Sequence, residues 1–168
     1  MHNNIFSLKN KNILLTGSSG FLGKNIANSL IELEANVILI DKIIPKSKIN
    51  SKKANYFKCD LTNETDVKST FNIIKKKFKK IDVLINNAAS KGKNLKKFYS
   101  EFEKYSIEKI NEVMYSNLFS MFLVTKYSIK LLKKSNSPSI ILMSSVFGSK
   151  VGADQKVYLS KNKKSLSF

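Results

Sequence analysis

The chain has 168 residues, 42% hydrophobic and 25% charged, which is long enough for one domain with its own core. It has no apolar run of membrane-spanning length and no signal-peptide pattern in residues 1–11. Its formal net charge of +18 is carried entirely by lysine; arginine, the usual reader of bases, is absent, so no specific nucleic-acid partner and only weak attraction to polyanions is expected. One cysteine, Cys59, rules out an intrachain disulfide and suits a reducing cytoplasm, as a small buried residue rather than a nucleophile.

In chain order, Asn12–Leu15 reads as a buried strand, and Thr16-Gly17-Ser18-Ser19-Gly20-Phe21-Leu22-Gly23 follows it. A helix then runs to Leu33, with Phe21/Leu22, Ile26, Leu30 and Leu33 recurring at helical spacing as its apolar face. The glycines therefore sit at a strand-to-helix turn. Glycine lets a backbone turn tightly and approach a ligand closely. The first helical turn adds unpaired N–H groups and the positive end of a dipole, and together these favour a pyrophosphate. A magnesium-dependent phosphate loop is excluded, because the first glycine is one residue too far away and Asn25 stands where Ser or Thr must hold the ion. No metal is expected.

A second strand, 36–40, ends at Asp41, and a third, 56–59, ends at Asp60. Thr62 or Asn63 caps a helix to about Phe78 whose inner face is Val67, Phe71 and Ile74. Residues 81–85 form a fourth strand. Ser106 caps a long helical region to about Lys134, with Ile110, Val113, Met114, Leu118, Met121, Phe122 and Ile129 as apolar positions. Pro138 introduces a fifth strand, 139–143. No linker or repeat divides residues 1–168, so one domain is expected. Alternating strands and helices imply an α/β fold, a doubly wound parallel sheet of order 3-2-1-4-5, with its ligand crevice at the carboxyl edge beside the first strand.

The candidate polar residues fall on that edge. Asp41, about twenty residues after the glycine loop, can accept both hydroxyls of an adenosine ribose and repels a 2′-phosphate, which favours NAD over NADP; the adjacent Lys42 weakens that preference. Asp60, before Leu61, could reach an adenine amino group or cap the following helix. Asn86-Asn87-Ala88-Ala89 offers small residues beside a ligand and asparagines able to pin the turn to a neighbouring strand. Ser144-Ser145 closes the fifth strand, and Ser145 could hydrogen-bond a substrate carbonyl. Asn117 is a poor helix former within an apolar helix, suited to a kink, a water site or the surface.

Thr16-Gly17-x-x-Gly20-x-x-Gly23, Asp41, Asp60-Leu61, Asn86-Asn87-Ala88-Ala89, Asn117 and Ser144-Ser145-x-x-Gly148 together resemble the short-chain dehydrogenase/reductase family, in order and spacing, over nearly the whole chain. The resemblance implies a Rossmann fold, NAD(P), and hydride transfer between a carbonyl and an alcohol of a small, possibly sugar-derived, substrate. It implies cofactor contacts from Gly17, Ser19, Gly20, Phe21, Leu22, Gly23, Asp41, Asp60, Leu61, Asn87, Ala88 and Ala89. Asn117 would support a proton-relay water, Ser145 would polarise the substrate oxygen, and a tyrosine would exchange the proton. A lysine four residues after that tyrosine would lower its pKa, since phenol near its ordinary pKa of about 10 is a poor base at neutral pH. Full-length members commonly form homo-oligomers through the helix that carries Asn117.

Two departures stand out. Phe21 replaces the middle glycine of classical members, giving the spacing of the extended, sugar-nucleotide type. Tyr158 lies thirteen residues after Ser145, a usual separation, but Asn162 occupies the lysine position, between Lys161 and Lys163. A shift of one residue swings a helical side chain by about 100°. Alternatively, Val151 to Phe168 resembles the longer serine-to-tyrosine loop of members associated with surface-sugar or flagellin modification, whose catalytic tyrosine comes later. Either way the expectation is an incomplete domain with little or no turnover that retains NAD affinity. Other readings are a sugar-nucleotide epimerase or dehydratase, a non-catalytic dinucleotide-binding protein, and a basic polyanion-binding module.

Overall fold

Apolar runs that end in polar residues become parallel strands. The computed structural model describes residues 6–145; Tyr158, Asn162 and the rest of 146–168 lie outside the described residues. The strands are β1 (Asn12–Thr16), β2 (Asn36–Asp41), β3 (Ala54–Lys58), β4 (Val83–Asn86) and β5 (Ser139–Leu142). They form one parallel sheet in the order β3-β2-β1-β4-β5. This is the order expected of a doubly wound sheet.

Helices cover both faces: α1 (Phe21–Glu32), α2 (Glu64–Lys77), the short α3 (Leu95–Phe98), α4 (Ile107–Met114) and α5 (Ser120–Leu132). Side chains alternate across the pleat. Leu14, Ile38, Ile40 and Leu84 join Val67, Phe71 and Ile74 of α2 and Val124, Leu131 and Leu132 of α5 in one core. Ile13, Leu15, Val37, Leu39 and Ile85 join Ala27 and Ala35 in the other, with Ile26 and Leu30 of α1 packed against it. The inner face expected for α2 is therefore the one observed, with Thr70 added, and its cap is Asn63, whose side chain accepts the Asp66 N–H.

Three local expectations are corrected. Phe21 and Leu22 obey helical spacing with Ile26 and Leu30 but are 89% and 51% exposed. The buried face of α1 is instead carried by Gly23 and Ala27, because α1 lies so close to the glycine loop that only small residues fit. The long helix expected from Ser106 is interrupted by a π-helical turn, Tyr115–Phe119, in which the Ser120 N–H reaches back to the Tyr115 carbonyl. Such wide turns concentrate at functional sites. Most of the apolar positions expected along this region, including Ile110, Met114, Leu118 and Phe122, lie on an exposed stripe, while α5 buries Ser120, Val124, Ser128, Leu131 and Leu132.

The two sheet edges are built differently. At the amino edge, buried Asp82 accepts from the Asn12 N–H at 2.9 Å, the Ser135 hydroxyl at 2.6 Å and the Lys80 ammonium at 2.8 Å. It knots β1, β4 and the chain leading to β5. The carboxyl edge collects the polar residues singled out in the sequence. No helix among the described residues is long and apolar enough to cross a membrane.

Candidate functional site

The carboxyl ends of β1 and β4 are stitched together by one hydroxyl. Thr16 is 1% exposed, and its Oγ1 accepts the N–H groups of both Asn87 and Ala88 at 3.0 Å. Asn87 returns the contact: its Nδ2 donates to the carbonyls of Thr16, at 3.0 Å, and Gly17, at 3.3 Å. Asn86 is held apart from this stitch, donating to Thr125 Oγ1 on α5. The asparagine pair thus pins the turn on both sides, as its position after an apolar strand suggests.

The three loop glycines have different reasons to be glycine. Gly17 has φ +65°, and a Cβ there would stand 2.8 Å from Ala88 Cα. At Gly23 a Cβ would fall 2.1 Å from the Gly17 carbonyl oxygen. Both are demanded by the protein's own packing. Gly20 is not: its φ is −69°, and the nearest atom to an added Cβ is 3.4 Å away. The missing side chain at Gly20 leaves an open cradle at the start of α1. That helix end has no side-chain cap and no acidic residue in its first turn, so its orphan N–H groups and dipole face the cradle uncompensated. Ser18 Oγ, buried beneath the loop, has no hydrogen-bond partner among the described residues. An anionic ligand such as a pyrophosphate fits the orphan N–H groups of this first turn, which carries no acidic residue. Phe21 and Leu22 offer it their backbone N–H groups from the exposed first turn, with Gly23 closing the turn behind them.

Beside the loop, Asp41 ends β2. Its Oδ2 accepts the Ser19 N–H at 2.9 Å and its Oδ1 the Ile43 N–H at 3.1 Å, while the Ser19 hydroxyl donates to the Ile43 carbonyl at 2.6 Å. Two of the carboxylate's acceptor sites are used, and the others remain for hydroxyls. Asp60, beyond β3, does not cap α2. Its Oδ1 accepts from the Thr62 N–H and hydroxyl, and its Oδ2 takes the Lys42 ammonium at 2.5 Å. Partial burial works against its charge, but the Lys42 ammonium and the Thr62 donors outweigh it and hold the carboxyl below its usual pKa. Leu61 is 8% exposed and belongs to the core, so only its backbone is placed to meet a ligand. Cys59 is buried, and that burial pushes its thiol up to about 11, as suits a packing residue.

Asn117 sits in the π-helical turn and grips the chain after β4. Its Oδ1 accepts the Ser90 N–H at 2.7 Å, its Nδ2 donates to the Ser90 carbonyl at 3.1 Å, and Ser116 Oγ donates to the same Oδ1 at 2.9 Å. The side chain is therefore committed to the turn Ala88–Ser90, past exposed Ala89. Ser145 follows β5 and is exposed on the same edge. Sequence reasoning missed three things: Thr16 as the hub, Ser90 as the partner of Asn117, and the Lys42–Asp60 pair. A hydroxyl closing an otherwise apolar strand was the available signal for the first. The other two join residues 27 and 18 positions apart, which no local pattern reveals.

Comparison with known proteins agrees with this geometry. The family described as short chain dehydrogenase matches residues 11–162. An oxidoreductase of Schizosaccharomyces pombe is 32% identical over 137 residues, covering 81% of this chain and 45% of that protein. Among solved structures, a short chain dehydrogenase of Leptospira borgpetersenii with bound NAD+ superposes with a TM-score of 0.78 at 28% identity, covering 89% of this chain and 57% of that one. The aldohexose dehydrogenase of Thermoplasma acidophilum does so with a TM-score of 0.75 at 29% identity, over 85% and 52%. The chain spans about half the length of the proteins it matches.

Proposed function

The chain belongs to the short-chain dehydrogenase family, and on that premise we propose that it binds NAD across the carboxyl edge of β1, β2 and β4, in the service of hydride transfer between a carbonyl and an alcohol. The observation that carries this reading is the contrast among the glycines: packing forbids a side chain at Gly17 and Gly23, while at Gly20, at the uncapped start of α1, an added Cβ would meet nothing closer than the Gly17 carbonyl at 3.4 Å. The bound nicotinamide gives or accepts hydride. The N–H groups at Phe21 and Leu22 hold the pyrophosphate, while the Gly20 N–H closes the loop onto the Gly17 carbonyl. Asp41, oriented by Ser19 and Ile43, accepts the adenosine ribose hydroxyls and disfavours a 2′-phosphate, so NAD is the preferred form over NADP. The backbone of Asn87, Ala88 and Ala89, fixed by Thr16 and by the Asn117–Ser90 clip, forms the floor beneath the nicotinamide half.

Ser145 donates a hydrogen bond to the substrate oxygen, and Tyr158 is the candidate to exchange the proton. The position four residues after Tyr158 holds Asn162, which removes the cation that would lower the phenol's pKa. The chain therefore binds NAD and turns substrate over weakly or not at all. The substrate is a small carbonyl or alcohol compound; the aldohexose-dehydrogenase neighbour favours a sugar-derived one. The single, buried cysteine fits a cytoplasmic setting. Exposed Ile110, Met114, Leu118 and Phe122 along α4 and α5 suit a second copy as partner, and dimerisation should be measurable by sedimentation; a monomer at all concentrations would reject it.

Titration calorimetry of the purified chain with NAD tests the central reading. Saturable binding at one site is expected, with no appreciable carbonyl reduction when NADH and an aldose are supplied. Absence of dinucleotide binding would overturn the reading, and vigorous turnover would overturn the loss of the Tyr–Lys pair as a functional defect.

A further inference from the structure

We propose that Asp60 and Lys42 form an electrostatic latch for cofactor selection: Asp60 holds the Lys42 ammonium away from the place where the 2′-phosphate of NADP would sit. The proposal rests on the dinucleotide reading above and adds residues to it.

The argument starts from which of the two partners is fixed. The backbone on both sides of Lys42 is clipped to the glycine loop. Asp41 accepts from Ser19 N–H and Ile43 N–H, and the Ser19 hydroxyl donates to the Ile43 carbonyl. Lys42 is thus anchored by its main chain beside the carboxylate that would meet the adenosine ribose. Its side chain is 67% exposed, and its ammonium is held by Asp60. Asp60 is the opposite case. Its side chain is 31% exposed; Thr62 donates to it twice, at 2.7 and 3.1 Å, and its own N–H is tied to Asp66 Oδ2 at 2.6 Å. A fixed anion holds a mobile cation.

The consequence is one of specificity. A lysine ammonium is a compact point charge that binds phosphate well when it is free to reach it. Here it is already engaged by Asp60, so a 2′-phosphate meets the Asp41 carboxylate without the lysine's help. To recruit Lys42, the phosphate must take it from Asp60 and leave that carboxylate unpaired beside a second anion. An exposed ion pair contributes little to stability; placed here, it withholds the neighbouring cation from the wrong ligand.

Calorimetric dissociation constants for NADH and NADPH test the latch without any turnover. Their ratio cancels the contacts both ligands share and isolates the 2′-phosphate. Asp60→Asn keeps an acceptor for Thr62 while removing the charge. It is expected to move the ratio toward NADPH by about fivefold, the upper end of what an exposed pair supplies. Lys42→Met should cost NADPH affinity more in the Asp60→Asn background than in the wild-type chain, since only there is the lysine released. Asp60→Ser serves in the same cycle should the asparagine variant not fold, and circular dichroism checks each variant. An unmoved ratio, or equal effects of Lys42→Met in both backgrounds, overturns the latch alone. Failure of every form to bind either dinucleotide overturns the dinucleotide reading and the latch with it.

Discussion

At Gly23 a β-carbon would collide with backbone, 2.1 Å from the Gly17 carbonyl oxygen, whereas at Gly20 it would only touch that oxygen, at 3.4 Å. The two positions therefore separate folding from binding. Gly23→Ala forces α1 away from the loop and is expected to lower stability by about 1–3 kcal/mol or more, the usual cost of overpacking. Gly20→Val replaces a favoured helix N-cap residue and should cost about 1 kcal/mol or less, while abolishing NAD binding by filling the cradle. Equal losses of stability in both would contradict the distinction. The same residues show what was readable in advance. Glycine spacing after an apolar strand announced the turn, but not which glycine serves the ligand, because that depends on Ala88, a residue of another strand's loop. Leu61 shows a complementary limit. Its place after Asp60 put it on the right edge, yet its side chain turns into the core formed with Val67 and Phe71.

Among the elements, the strands were the most legible. The apolar runs of the central strands β1, β2 and β4 stop at polar residues because both of their faces are covered, and bounds shifted only at the ends, β3 beginning at Ala54 and β4 at Val83. Helix α1 was placed correctly, and Ile26 and Leu30 of its expected face do pack on the core; Phe21 and Leu22 do not, since close packing at the loop selects Gly23 and Ala27 instead. The π-helical turn had no periodic signature. One extra residue per turn is invisible when apolar residues continue on both sides of it. That turn carries the Asn117 clip onto Ser90. Asn117→Ala removes two hydrogen bonds to Ser90 and should lower the unfolding free energy by about 1 kcal/mol per bond, read by urea titration. Asn117→Asp, which can still accept but not donate, should recover part of that loss.

For the whole molecule, the amino edge of the sheet sets the acid limit. Burial disfavours the Asp82 charge, but the Lys80 ammonium, the Ser135 hydroxyl and the Asn12 N–H prevail and hold its carboxyl below the ordinary range. A carboxyl whose folded pKa lies below its unfolded value of about 3.9 binds its proton more readily when unfolded. Its contribution is complete above that value and disappears as pH falls through the folded pKa. Urea titrations between neutral pH and pH 3 should show this decline, and Asp82→Asn should flatten it while lowering stability at neutral pH by about 2 kcal/mol. NAD binding should be unaffected, because Asp82 lies at the edge opposite the loop. The architecture was legible because alternating strands and helices leave few topologies open. The amino-edge knot was not, because Asn12, Lys80, Asp82 and Ser135 are brought together only once the sheet has formed.

The Thr16 hydroxyl has a further consequence, in time rather than in energy. Because one oxygen accepts both the Asn87 and the Ala88 N–H groups, any movement of the Thr16 hydroxyl releases the two amides together. Their exchange with deuterated solvent should follow a single opening event, with similar protection at both. Ligand bound at the glycine loop should slow the pair together, so two amides on β4's loop become a clock for events at β1.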